Sequence, residues 1–241
     1  MSKKFKKLFL PALALLFLFS ACEELEGLSD SEIAAGLKEA LEVSTDTSVS
    51  QANRENGYYA NAAIKIFLPP EVENVANVVR QIPFIDGESL LNKLELELNR
   101  AAEDAAGEAK PIFIDAITGI TINDALGILN GTDSAATVYL KDRTFVDLKS
   151  AFKPKIETSL SKVGAQQTWN TLISEYNSYI NSPLGERLGA EPINTDLADY
   201  TTDRGLKGLF HLVSEEEKEI RNNVSNRVTD LLRKVFAKQD N

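Results

Sequence analysis

Four residue types are nearly missing from these 241 residues: Cys, His, Trp and Met occur once each. One cysteine excludes an intramolecular disulfide and every cysteine-rich zinc set. One histidine, His211, is too few for the usual zinc sites, and no pair of Glu-x-x-His motifs supplies a di-iron bundle site. The glycines form no phosphate loop, no Gly-x-Gly-x-x-Gly and no Gly-x-Ser-x-Gly, so nucleotide cradles and the hydrolase elbow are absent from the pattern. Positive charge is also scarce. Lys and Arg number 26 against 36 acids, for a net charge of −10. A chain so acidic is a poor partner for nucleic acid, whose phosphates need Lys and Arg.

The scarce cations are concentrated at the start. Lys3, Lys4, Lys6 and Lys7 form a basic head, Leu8 to Phe19 is almost wholly apolar, and Ser20-Ala21 are small. This order is that of a secretory signal peptide. The apolar run of about a dozen residues is short of the roughly 20 that span a bilayer. Cys22 follows at once, and then Glu23-Glu24. Small-small-Cys after an apolar run resembles the lipobox of bacterial lipoproteins, which implies cleavage before Cys22 and acylation of its thiol and amine, with palmitate among the chains. One acyl chain holds a protein only marginally, and two or more anchor it stably. The expected organisation is a leader over 1–21, an acylated tether over 22–28 and a helical domain over 29–241. Loss of 1–21 removes four lysines and no acid, leaving a net charge of −14. The acyl chains, not charge, would then hold the body to an anionic membrane.

From residue 29 onward the apolar spacing is helical nearly throughout. Ser29-x-x-Glu32 reads as a capping box before Ile33, Leu37 and Leu41. Pro69-Pro70 opens a helix with Val72, Val75, Ala76 and Val79 on one face, and Leu91, Leu94, Leu98, Ala102 and Ala105 stripe the next helix. On that helix Lys93/Glu97 and Arg100/Asp104 are spaced as solvated pairs. Gly107 and Pro111 end it. Thr121 to Asp124 forms another cap, and Phe145, Leu148, Phe152, Ile156, Leu160 and Val163 make a long stripe with a kink expected at Pro154. Ile64-Lys65-Ile66-Phe67 alone looks strand-like and, lacking a partner strand, is expected to be an extended connector. The prediction is an all-α fold: a single compact multi-helix, bundle-like domain of roughly eight to ten helices.

Few residues invite chemistry. His211 shares a helix face with Arg204, Lys207, Glu215 and Lys218, and reads as a surface residue in an i,i+4 contact more readily than as a base or metal ligand. Glu215-Glu216-Glu217 reads as the first turn of a helix, with Ser214-x-x-Glu217 as its capping box, in preference to a calcium site. Asp199 and Asp203 with Arg204 read as a solvated face. Trp169 and Tyr176 fall on a core stripe, whereas Tyr179 falls off it and is the better contact residue.

Four blocks are distinctive: EAKPIFIDAITGITINDALGILNGTDSAATVYL (108–140), FKPKIETSLSKVG (152–164), EYNSYINSP (175–183) and GLFHLVSEEEKEIRNNVSNRVTDLLRKVF (208–236). They resemble a bacterial family of exported proteins, domain of unknown function 4197, with Asn223 standing where proline is expected. The resemblance implies an all-helical fold, often behind a lipoprotein signal, and brings no activity, cofactor or catalytic residue. The resulting expectation is a non-enzymatic binding or structural module, anchored through Cys22 to the outer membrane of a Gram-negative bacterium, on its periplasmic or cell-surface side, with no metal and no cofactor. Its expected partners are the membrane and another envelope protein. The alternative is a carrier holding an apolar ligand in a cavity between helices.

Overall fold

The computed structural model describes residues 27–72, 75–76, 86–181, 193, 195–237 and 240. They contain eight α-helices: α1 (Asp30–Ala52), α2 (Gly87–Ala106), α3 (Ala109–Thr118), α4 (Ile122–Leu129), α5 (Ala135–Lys162), α6 (Ala165–Ile180), α7 (Leu197–Asn222) and α8 (Asp230–Phe236). A 3-10 turn, Val224–Asn226, joins α7 to α8, and no strand occurs among the described residues. The fold is all-α, as the spacing of apolar residues requires. Cys22, the leader and most of the tether lie outside the described residues, as do Val79 and most of 182–195.

Local chemistry sets the helix starts. Ser29 and Glu32 form the reciprocal capping box of α1, with Ser29 N–H donating to the Glu32 carboxylate at 2.8 Å. Thr121 and Asp124 do the same for α4. Asp86, Asp196 and Thr229 each accept from a backbone N–H in the first turn of α2, α7 and α8. Helices α3 and α5 lack a local cap, since Glu108 and Ser134 make no side-chain cap. For α5 the missing acceptor comes from another helix. Pro111 sits in the first turn of α3, where a missing N–H costs nothing.

Helix α7 lies at the centre. It packs along α5 and also against α1 and α2, while α1 contacts α3, α4 and α8. The core draws Leu37 and Leu41 from α1, Leu94 and Leu98 from α2, Phe113 from α3, Phe152 and Ile156 from α5, and Leu206, Leu209 and Val213 from α7. Phe113 meets Phe210 edge to face at 5.8 Å. Gly36 lets α8 come close, since a Cβ there would lie 2.4 Å from Val235 Cγ2.

Two local expectations, both on α2, are corrected. Glu97 is buried, only 6% exposed, because α2 is covered on that side as well; its ion pair with Lys93 is long, at 3.5 Å. Arg100 pairs not with Asp104 but with Glu103 at 2.5 Å and Glu55 at 3.2 Å. Asp104 instead faces Ser159 and Lys155 of α5. Helix α5 continues as helix through Pro154, which is exposed. The extended connector does occur at 65–69, and a side chain pairs with it: Asn99 accepts from Ile66 N–H and donates to Ile66 C=O, both at 2.8 Å.

Candidate functional site

Ser214-x-x-Glu217 does not start a helix. These residues lie inside α7, whose apolar stripe continues from Leu206 and Val213 to Ile220 and carries Glu217 into the core. There the Glu217 carboxylate accepts from Ala136 N–H at 2.9 Å and from Thr137 N–H and hydroxyl at 2.8 Å. It is therefore the cap that α5 lacks. One turn later Arg221 donates its Nε–H to Glu217 at 2.9 Å and its other donors to the carbonyls of Ile128 and Leu129, at the end of α4. An acid thus meets a helix N-terminus and a base meets a C-terminus, each matching the sign of the helix dipole. Arg227, 1% exposed, does the same for α7. It donates to the carbonyls of Ile220 and Arg221 and holds Asp240 in a two-point pair at 2.6 Å. That contact keeps the Asp240 carboxyl below its ordinary range. The sequence signal for the cluster was the register 206, 213, 217, 220, which places Glu217 on the buried face.

These side chains are saturated by architecture. The space among Leu37, Leu41, Ala136, Glu217, Arg221 and Phe236 measures about 10 Å³, at the lower limit for one water. Glu216, half-buried beside Glu217, has its carboxyl raised by burial and by the charge of Glu219.

A second polar arrangement faces outward. The turn after α1 is pinned by Glu103, which accepts from the N–H groups of Tyr58 and Tyr59 at 3.0 and 3.1 Å. The Tyr58 hydroxyl, fully buried, donates to Gly205 C=O on α7 at 2.7 Å; burial and the Glu103 charge push its pKa up. Gly208 lets this turn press on α7, because a Cβ there would lie 2.8 Å from Tyr58 Cε1 and 3.0 Å from Ile64 Cβ. The result is a surface groove of about 180 Å³, lined by Ala63, Ile64 and Lys65 on one side and by Arg204, Lys207, Gly208 and His211 on the other. Lys65 pairs with Glu95 at 2.7 Å and lies over the rings of Tyr59 and Phe67, at 4.5 and 5.6 Å. Arg204 lies over Tyr200 at 5.3 Å, and the Tyr200 hydroxyl donates to Phe67 C=O at 3.0 Å. Burial raises the Tyr200 pKa, against the effect of Arg204.

The remaining sequence candidates fall into place around these two features. His211 and Glu215 are both exposed, and no hydrogen bond joins them among the described residues. Asp199 and Asp203 are not a free face, since they bind Lys149 and Lys153 of α5 at 2.8–3.3 Å. The two lysines hold the Asp199 carboxyl below its ordinary range. Trp169 and Tyr176 are buried; the side chain of Tyr179 and the lipidation site Cys22 lie outside the described residues. Among the described residues, no group of three His, Cys, Asp or Glu side chains converges as a metal site.

An all-helical body with structural interior charges and one basic groove is the class these features define. The chain belongs to the family described as protein of unknown function DUF4197, whose model matches residues 27–237. No curated protein and no solved structure matches it.

Proposed function

We propose that this chain is a lipid-anchored protein of the outer membrane, held by acyl chains on Cys22, and that its helical body is a non-enzymatic binding and structural module for another envelope component. One observation carries the second half of this reading. The buried charges Glu103, Glu217, Arg221 and Arg227 are each engaged with backbone groups of neighbouring segments, which leaves recognition to the surface. The carrier alternative asks for an enclosed space above about 300 Å³. Larger hollows of 450–630 Å³ lie among the described residues, but they are open surface grooves.

The first half rests on the basic head, the apolar run and the small residues before Cys22. Fatty-acid labelling with membrane fractionation tests it. Wild-type protein should be labelled with palmitate and sediment with membranes, and Cys22→Ala protein should do neither. A Cys22→Ala protein that is still labelled and still sediments would remove the anchor from the account.

A further inference from the structure

We propose that the groove between the 63–65 segment and α7 binds a phosphate-type oxyanion, held by Arg204, Lys207 and His211 with Lys65 across the gap. The chain is rich in acids, with 36 against 26 Lys and Arg. Several cations elsewhere answer to carboxylates: Lys110 to Asp46, Lys149 and Lys153 to Asp196, Asp199 and Asp203, Lys155 to Asp104 and Glu108. Arg204, Lys207 and His211 have no ion pair among the described residues, although they stand within two turns of one helix. Of the neighbouring acids, Asp203 is held by Lys149 at 2.8 Å and Glu215 is exposed one turn beyond His211, while Lys65, across the groove, is shared with Glu95 at 2.7 Å.

The groove's construction narrows the ligand. Its walls are fixed by Tyr58 on Gly205 and by the close approach at Gly208, so the cations are presented on a rigid frame. Its 180 Å³ is below the roughly 300–1,000 Å³ of sites that enclose a whole small molecule. It suits one anionic group with the rest of the ligand outside, where Phe67, 59% exposed, offers an apolar ring. A phosphate monoester carries about 1.5 to 2 negative charges at neutral pH, a better match to several cations than a single carboxylate. Arg204 supplies a planar fork for two oxygens and Lys207 a point charge. The source of the phosphate is either a lipid headgroup or a soluble phosphorylated ligand.

The test uses residues 23–241, which contain every described helix, so its outcome is independent of whether Cys22 is acylated. Isotope-labelled protein is titrated with sodium phosphate at constant ionic strength against a chloride blank. Saturable shifts are expected at Lys207, Gly208 and His211. The double variant Lys207→Gln/His211→Gln, exposed at both sites and so expected to keep its circular dichroism, should bind at least tenfold more weakly. Lys162→Gln, the same loss of charge outside the groove, should bind as wild type. Absence of saturable shifts, wild-type binding by the double variant, or equal weakening by Lys162→Gln would each overturn the site, leaving an adventitious ion only. Vesicles of phosphatidic acid in phosphatidylcholine then identify the source. Displacement of phosphate, absent with phosphatidylcholine alone, assigns a lipid headgroup, and no displacement assigns a soluble phosphorylated ligand.

Discussion

Glu217 Oε2 lies 2.8 Å from the backbone nitrogen of Thr137, eighty positions earlier in the chain. An N-cap is ordinarily supplied by the residue just before a helix. Here α7 supplies it to α5, and through Arg221 holds the end of α4 as well. Two consecutive helix ends, at Ile128–Leu129 and Ala136–Thr137, are fixed to a third helix some eighty positions later by one buried ion pair. Removing one partner of such a pair costs about 3–5 kcal/mol, because the other charge is left buried alone. Glu217→Ala should therefore lower the melting temperature by about 6–20 °C, at the 2–4 °C per kcal/mol usual for this size. In a double-mutant cycle, Glu217→Ala/Arg221→Met together should cost much less than the sum of the single changes. Additive losses measured by chemical denaturation would show that the two residues act separately.

Two helical glycines should respond to alanine with opposite signs. At Gly208 a Cβ would be 2.8 Å from Tyr58 Cε1, whereas at Gly127 nothing lies within 4 Å. Alanine gains about 1 kcal/mol over glycine in a helix interior, and overpacking costs about 1–3 kcal/mol. Gly127→Ala should raise the unfolding midpoint. Gly208→Ala should lower it and disturb the amides of Ile64 and Lys65. A stabilising Gly208→Ala would mean that the turn after α1 yields freely.

The carboxyl of Glu97 gives the clearest pH dependence. Burial raises its pKa, and Lys93 only partly opposes this; one of its oxygens has no hydrogen-bond partner. The folded protein thus holds this proton to higher pH than the unfolded chain does. Stability from this group is present at acid pH and is lost as pH rises through the raised value. Glutamine keeps the shape and removes the buried charge, so Glu97→Gln should stabilise the protein at neutral pH. The gain should shrink on acidification. Asp196 and Asp199 have lowered values, the first chiefly from the Asp199 N–H and the second chiefly from Lys153, and they work in the opposite direction, so the informative quantity is variant minus wild type at each pH. A Glu97→Gln protein less stable at neutral pH would show that the Lys93 pair outweighs burial.

The sequence made the frame of the fold legible because apolar spacing and caps are local. Ser29-Glu32 and Thr121-Asp124 form the capping boxes their spacing announced, and the stripes at Leu91–Ala105 and Leu148–Leu160 are buried, though at the ends of the second Phe145 is half-buried and Val163 exposed. Ser214-x-x-Glu217 carries the same signature and is not a cap, because α7 began upstream and its register turned Glu217 inward. Only the partner, the uncapped start of α5, distinguishes the two cases, and that partner is remote in sequence. The groove was partly visible. Arg204, Lys207 and His211 share a face by spacing alone, but Lys65 joins them through the turn that Tyr58 and Gly208 hold against α7. No local pattern encodes that meeting.

The central claim is that the body is a filled scaffold acting from its surface. Its most direct test is the mass of residues 23–241, purified after export, under native and then denaturing conditions. The account predicts no apolar passenger: the native mass should be that of the polypeptide, with at most a small exchangeable anion. An apolar molecule carried through native purification and released on denaturation would contradict it and make the protein a carrier.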